Sequence, residues 1–113
     1  MTTYELKQTV LSDINEMVWD NQSDKRPVRI TTYWNSHGKL VPFKFDDLPQ
    51  CTTIRNKSIK IWKSTRIVAY DDLAPTTFHD FVLYIDDKRI NGTVNHMNTT
   101  DKCVYIKLVC GWG

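Results

Sequence analysis

The chain has 113 residues, of which 41% are hydrophobic and 25% are charged, and its formal net charge is +2 at pH 7. A chain of this length is expected to form one domain, residues 1–113, and its ordinary composition argues against wholesale disorder. The nearly balanced charge neither favours nor excludes a nucleic-acid partner, so the positions of the charges matter more than their sum.

The cysteines and the apolar runs bear on the compartment. Cys51, Cys103 and Cys110 cannot all pair within one chain, which favours free thiols in a reducing environment. Residues 1–10 lack an apolar core of signal-peptide length, and no apolar run approaches the roughly 18 residues that span a bilayer. We therefore expect a cytoplasmic protein. The composition is rich in Asn, Thr, Lys, Asp and Ile, as in many bacterial viruses. If the protein is viral, the expected compartment is the cytoplasm of the host.

Residues 3–19 carry the pattern of an amphipathic helix. Thr2 and Glu5 have the spacing of a capping box, which satisfies the first free amides of a helix. The apolar residues that recur at helical spacing form one stripe, made of Val10, Leu11, Ile14, Met17 and Val18. The sequence therefore predicts a helix over 3–19 that packs on a sheet.

After this segment the apolar period changes to two, which is typical of strands. Residues 28–45 predict a β-hairpin with its turn at Gly38. Residues 58–70 predict a second hairpin that turns at 63–65, although a short helix also fits part of this segment. Strands are favoured there because the segment is rich in Ile, Val, Thr, Trp and Tyr.

The last third of the chain predicts two further strands. Residues 81–85 are apolar on both faces, which indicates a covered central strand, and Asp86 and Asp87 predict the turn after it. Residues 103–109 predict the final strand. Together these elements predict an α+β fold, with the N-terminal helix packed on a curved antiparallel sheet or half-barrel of six to seven strands in meander-like order.

Three aspartate pairs, at residues 46–47, 71–72 and 86–87, mark predicted chain reversals. If they converged, their carboxylates could bind Mg²⁺ and support phosphoryl or phosphodiester chemistry. Aspartate also favours turns by accepting hydrogen bonds from nearby backbone amides. We therefore interpret the pairs as turn residues and keep a metal-dependent enzyme as a third hypothesis.

Histidine and cysteine provide only a poor metal signal. A zinc tetrad could be assembled from His96, Cys103 and Cys110 with either His79 or Cys51, but the spacing contains no close ligand pair. No local signature marks a catalytic nucleophile. We therefore expect no cofactor, no metal and no catalytic residue.

An aromatic and basic surface is the feature that most favours a binding site. Residues 48–70 contain five basic residues and no acidic one. If Ile59 and Ile61 face the core, their neighbours face away from it, and the same alternation applies to the other strands, including Tyr105 and Lys107 in the last one. The predicted binding residues are Lys60, Trp62, Arg66, Tyr33, Arg29, Lys44, Lys63 and Tyr70.

The leading functional hypothesis is a small non-enzymatic binding protein that uses this surface. Such a protein would be a virus-encoded accessory factor that binds and inhibits a host protein, since Trp, Tyr and Arg are the usual anchors of protein interfaces. The alternative is a nucleic-acid-binding domain that stacks bases on the same face. The salt dependence of binding distinguishes the two hypotheses. Nucleic-acid binding weakens steeply as the salt concentration rises, in proportion to the number of phosphates neutralised, whereas an aromatic protein interface is much less sensitive.

Overall fold

The computed structural model describes residues 8–45, 48–71 and 73–111, and within these ranges the chain forms strands and loops with no helix. The strands are arranged in two sheets. In chain order they are β1 (Gln8–Asp20), β2 (Val28–Ser36), β3 (Lys39–Pro42), β4 (Cys51–Ile54), β5 (Ile59–Tyr70), β6 (Leu73–Ile85), β7 (Lys88–Ile90), β8 (Thr93–Thr99) and β9 (Val104–Cys110).

One sheet has four strands and the other has five. The four-stranded sheet has the order β1-β5-β6-β7, and each neighbouring pair is antiparallel. The five-stranded sheet has the order β3-β2-β9-β8, and β4 pairs with β2 on the side where β3 also lies. Strands β2 and β9 run parallel, although one is early and the other late in the chain. The second sheet is therefore mixed and depends on long-range pairing.

The two sheets pack through one face each, and their buried side chains form a single core. Alternation along the strands produces this arrangement, because every second residue of β9 is buried and the residues between them are not. Each fully buried aliphatic side chain stabilises the fold by about 1.5–3 kcal/mol relative to exposure. The core consists of Val28, Ile30, Phe45, Leu48, Ile59, Ile61, Leu83, Ile85, Ile90, Val94, Val104, Ile106 and Leu108.

Thr32 joins the two short strands that share one side of β2. It is 1% exposed and lies where the partner of β2 changes from β4 to β3. Its amide donates to the Gln50 carbonyl at 2.9 Å, and its carbonyl accepts from the Phe43 amide at 3.1 Å. Its hydroxyl lies within hydrogen-bonding reach of the carbonyls of Phe43 and Gln50. One buried residue thus holds together both segments that cross this edge.

Strands β1, β5 and β6 of the four-stranded sheet continue past the core and form a projecting arm. The arm is defined here as residues 9–17 of β1, 62–70 of β5 and 73–82 of β6. The 12 residues of β5 extend for roughly 40 Å. Among the described residues, β5 contributes only Ile59 and Ile61 to the core that joins the sheets. The molecule is correspondingly elongated, at 58 × 30 × 23 Å.

Side chains fix the base of this arm to the end of the core. The Asn21 amide group donates to the Lys57 carbonyl at 2.8 Å, and its Oδ1 accepts from the Ile59 amide at 2.9 Å. Asp86 does the same from the next strand, since its carboxylate accepts from the Ser58 amide at 2.9 Å and its own amide donates to the Ser58 carbonyl at 2.7 Å. The start of β5 is therefore held from both neighbouring strands.

The prediction of an N-terminal helix over 3–19 is wrong. Residues 8–20 form β1, which pairs antiparallel with β5 along its length, while residues 1–7, with the expected capping box, lie outside the described part. Ile14, at the middle of the expected apolar stripe, is 51% exposed. The fold is therefore all-β and not α+β.

Two β-bulges explain why this strand has the apolar pattern of a helix. The ladder between β1 and β5 slips by one residue between Val10 and Ser12, and again between Met17 and Trp19. Each bulge inserts one residue, so the two-residue alternation of the strand is shifted twice, seven residues apart. A shift of this kind places apolar residues next to each other at both sites, as a helical stripe also does.

The predicted second hairpin over 58–70 is also wrong, because residues 59–70 form the single strand β5. The segment contains no Gly or Pro that would favour a turn at 63–65, and it consists largely of residues suited to strands. Nor do the strands form one curved meander or half-barrel. They divide between two sheets that do not close, and the chain crosses between the sheets several times.

Two predicted turns and the final strand are confirmed. His37 and Gly38 turn the first hairpin with φ of 49° and 80°, and Asp86 and Asp87 turn the one between β6 and β7 with φ of 50° and 65°. Two positive φ angles are what a two-residue hairpin turn requires. In β9 the residues expected to face inward, Val104, Ile106 and Leu108, are buried.

We predict that Thr32→Val destabilises the protein by about 1–2 kcal/mol, because it removes the hydrogen bonds of a buried hydroxyl to the Phe43 and Gln50 carbonyls while preserving side-chain shape. Urea denaturation followed by tryptophan fluorescence measures the change. Thr31→Val is the matched control, since it makes the same substitution on the outward-facing neighbour. Equal stability of the two variants would show that the Thr32 hydroxyl does not join the two strands.

Candidate interaction surfaces

The structure distributes the eight predicted binding residues over several surfaces. Even-numbered residues of β5 point away from the core face that carries Ile59 and Ile61, and they include four of the eight: Lys60, Trp62, Arg66 and Tyr70. Arg29 and Tyr33 lie on the outward face of the five-stranded sheet, between the buried residues of β2. Lys63 is on the opposite face of β5 from Trp62, and Lys44 is exposed beyond the end of β3.

These positions do not form one continuous surface. The two sheets pack through their inner faces, so their outer faces point in opposite directions. Arg29 and Tyr33 are thus on the far side of the molecule from Trp62 and Arg66. Each outer face is a separate candidate. We call them the outer face of the arm and the acid-free face, and the composition of each is given below.

The outer face of the arm is built from rows of three side chains, one from each strand. Met17, Trp62 and Val82 form one row, and Asp13, Arg66 and Phe78 form another two steps along. The face consists of Val10, Asp13, Asn15, Met17, Trp62, Ser64, Arg66, Val68, Tyr70, Leu73, Thr76, Phe78, Asp80 and Val82.

Within this face Arg66 and Phe78 are already in contact. The guanidinium carbon of Arg66 lies 5.6 Å from the centroid of the Phe78 ring, which is a cation–π distance. Phe78 and Met17 are each 39% exposed, and Trp62 between them is half-buried. Val68, further out, is fully buried, so the open part of the face is the stretch around Trp62 and Arg66. That stretch combines large rings with one pre-positioned cation.

Exposed apolar side chains are concentrated on the two outer strands of the four-stranded sheet. Of the 14 large hydrophobic residues that are exposed within the described ranges, eight belong to β1 or β6. Residues of this kind are normally buried, and their clustering on a surface marks an interaction site. The eight are Val10, Leu11, Ile14, Met17, Val18, Leu73, Phe78 and Phe81. The sequence alone does not reveal this feature, because the apolar residues of β1 also fit the spacing of a buried helix stripe.

The charges of β1 and β5 are complementary across the ladder. Asp13 lies opposite Arg66, Glu16 lies opposite Lys63, and Asp20 lies opposite Lys60. Directly opposed unlike charges stabilise antiparallel strands by about 0.2–1 kcal/mol per pair. Three of the five cations in residues 48–70 therefore have a carboxylate opposite them across the ladder, and Lys60 Nζ also lies 3.5 Å from the Asp87 carboxylate.

Both edges of the arm carry features that disfavour further strand pairing. The free edge belongs to β1 on one side, and there the two bulges interrupt the ladder. On the other side β6 is paired by β7 only at Leu83 to Ile85, and the open part contains Pro75, which has no amide to donate. Bulges and prolines of this kind protect sheet edges. A partner is therefore expected to bind the faces of the arm.

The acid-free face is the outward face of the five-stranded sheet. None of its five strands contains Asp or Glu. Lys107 Nζ lies 5.3 Å from the centroid of the Tyr33 ring, and Tyr105 lies directly opposite Arg29. The face consists of Arg29, Thr31, Tyr33, Asn35, Leu40, Pro42, Cys51, Thr53, Thr93, His96, Asn98, Tyr105, Lys107 and Val109.

The electrostatics of Arg29 follow from its neighbours. Hydrogen bonding to the Cys51 side chain, together with the charge of that group, raises the pKa of Arg29 above its ordinary value. Arg29 therefore remains a fixed cation on an exposed face. Cys51 is exposed, whereas Cys103 and Cys110 are half-buried. All three thiols are free of disulfides.

The three aspartates of the aspartate pairs that the structure describes do not converge. Asp71 lies at the tip of the arm, whereas Asp86 and Asp87 lie at its base, roughly 35 Å away along β5. Asp46, Asp47 and Asp72 lie outside the described residues. In the part of the chain that is described, no group of three or more His, Cys, Asp or Glu side chains is arranged to hold a metal ion.

Comparison of the chain with protein-family models, with curated proteins and with solved structures found no match. Over the described ranges, no helix has the length and apolar character needed to cross a bilayer. The function must therefore be inferred from the two outer faces.

We predict that Asp13→Lys and Arg66→Asp each destabilise the arm, and that the double variant Asp13→Lys/Arg66→Asp recovers part of the loss. The coupling energy expected for directly opposed charges is about 0.2–1 kcal/mol. A double-mutant cycle from urea denaturation at low salt measures it, and the coupling should shrink at high salt. Strictly additive effects would mean that these two side chains do not interact across the ladder.

Proposed function

We propose that this chain is a non-enzymatic protein-binding module that engages its partner through the outer face of the arm. The observation that supports this most is the exposure of four large apolar side chains on this face: Val10, Met17, Leu73 and Phe78. Exposed rings and thioethers rimmed by charges are characteristic of protein interfaces, in which aromatic residues, Met and Arg are enriched.

Charge favours a protein partner over a nucleic acid at this face. Asp13 and Asp80 lie on the face beside Arg66, and Asp20 lies beside Lys60. A phosphate chain that followed the arm would meet these carboxylates as well as the cations, which reduces the net attraction. A protein surface can satisfy both signs of charge at its rim. The balanced charges of the arm therefore disfavour the nucleic-acid alternative on this side of the molecule.

The proposed anchors are Trp62, Met17 and Phe78, with Arg66 beside them. Trp62 is held between Met17 and Val82 in its row, so it loses little further freedom when a partner covers it. The three strands are about 14 Å wide together, and nine residues extend about 30 Å, which gives roughly 420 Å² for one flat face, or about 840 Å² counted over both partners. This is below the roughly 1,200 Å² of stable specific interfaces and fits weak, transient binding.

In this proposal the chain acts by occupying a surface of its partner. That mode of action fits a small accessory protein that inhibits a host protein in the cytoplasm, where the three thiols would stay reduced.

We predict that Phe78→Ser weakens partner binding by about 30-fold or more, equivalent to about 2 kcal/mol, while Phe81→Ser does not. The two residues form a matched pair on β6. They are 39% and 36% exposed, but Phe78 pairs with Arg66 on the outer face and Phe81 pairs with Lys63 on the opposite face. Trp62→Ala should weaken binding to a similar extent.

The experiment begins with nuclease-treated bacterial lysate, from which tagged wild-type protein and both serine variants capture partners for identification by mass spectrometry. The captured protein is then purified, and its affinity for each variant is measured by isothermal titration calorimetry. Loss with Phe78→Ser and retention with Phe81→Ser would support the proposal. Equal affinity of Phe78→Ser and wild type, or loss with Phe81→Ser alone, would contradict it.

A further inference from the structure

The outer face of the five-stranded sheet differs in charge from the outer face of the arm, which carries both signs. The strands of the five-stranded sheet contain 31 residues in all, by the lengths 9, 4, 4, 7 and 7, and none of them is acidic. Arg29 and Lys107 point outward from its two central strands, since the residues on either side of each are buried or face the core. The charge on this face is therefore positive without local compensation in the strands.

Two tyrosine rings lie among these cations. Tyr105 is 41% exposed and stands opposite Arg29 across the parallel ladder. Tyr33 is half-buried and lies two residues along β2 from Thr31. The Lys107 Nζ lies 5.3 Å from the centroid of the Tyr33 ring. Ring and cation thus alternate across neighbouring strands.

The side chains around Arg29, Tyr105 and Lys107 are mostly polar. Thr31 and Thr53 lie beside Arg29, and Asn98 and His96 lie opposite Tyr105 and Lys107 on the edge strand β8. Apart from the two rings, the larger apolar side chains that the described strands present on this face lie at its other end, where Pro42 and Val109 flank Tyr33 and Leu40 lies opposite Asn35. A protein interface needs a desolvated apolar centre, and the part of the face around Arg29 and Tyr105 does not provide one.

We propose that the acid-free face binds single-stranded nucleic acid, with bases stacked on Tyr105 and Tyr33 and phosphates neutralised by Arg29 and Lys107. Flat sheets bind single strands in this way, because every base has a π-face that an exposed ring can cover. Paired bases are not available for such stacking. This site is on the opposite side of the molecule from the outer face of the arm. Binding there is therefore independent of the proposed protein partner.

The size of the effect can be estimated from the number of contacts. Two phosphate contacts give a slope of about −1.4 for the logarithm of the association constant against the logarithm of salt concentration. Affinity should therefore fall about sevenfold between 50 and 200 mM salt. Removal of one stacking ring should weaken binding about fivefold or more.

The test is fluorescence anisotropy of the full chain with labelled 12-nucleotide dT and rU strands and with a 12-base-pair duplex at 50 mM salt. We expect micromolar binding to the single strands and at least fivefold weaker binding to the duplex. Tyr105→Ala should weaken single-strand binding at least fivefold, and Tyr105→Phe should retain it. Arg29→Ala/Lys107→Ala should flatten the salt dependence.

Tyr84→Ala is the matched control, because Tyr84 is a half-buried tyrosine on the outer face of the other sheet. It should bind within twofold of wild type, and circular dichroism verifies that each variant is folded. The proposal is overturned if no single strand binds at 50 mM salt, if Tyr105→Ala binds as well as wild type, or if Tyr84→Ala loses as much as Tyr105→Ala. It is also overturned if poly-glutamate competes as well as the oligonucleotide, since this would identify an acidic protein as the partner.

Discussion

The pairing of β1 with β5 is the interaction on which the rest of this structure depends. β5 is the central strand of the arm, and without β1 one of its edges would leave a long row of backbone amides and carbonyls unpaired. β1 closes that edge and also supplies the three carboxylates that face Lys60, Lys63 and Arg66. A three-stranded sheet with balanced charge is stable enough to project from a core, whereas an isolated hairpin is marginal in water.

The same pairing determines which surfaces remain available. It places carboxylates opposite three of the five cations of the basic segment, so the arm presents apolar rings with charges of both signs. The bulges of β1 and the proline of β6 protect the edges. The five-stranded sheet carries its cations with no acidic residue in its strands. The molecule therefore has two outer faces with different chemistry on opposite sides, for which we propose a protein partner and a nucleic-acid strand. Together they would allow one small domain to hold both at once.

The sequence predicts this fold only where local rules decide the structure. The turns at His37–Gly38 and Asp86–Asp87, and the alternation of Val104, Ile106 and Leu108, follow from short patterns and are correct. The alternation in β5 also correctly places Trp62 opposite the face of Ile59 and Ile61. What is missed depends on distant partners. Bulges in β1 imitate a helical period, and the cross-strand acids opposite the basic segment, like the parallel pairing of β2 with β9, come from residues far away in the sequence.

The most direct test of this account is the NMR assignment of residues 9–20 in the uniformly labelled protein. We predict strand-type Cα and Cβ chemical shifts across this segment, and interstrand nuclear Overhauser effects that connect Asn15 with Ser64 and Asp13 with Arg66. Helical shifts over the same residues, with sequential amide–amide contacts and no contact to β5, would contradict the arm and the surfaces derived from it.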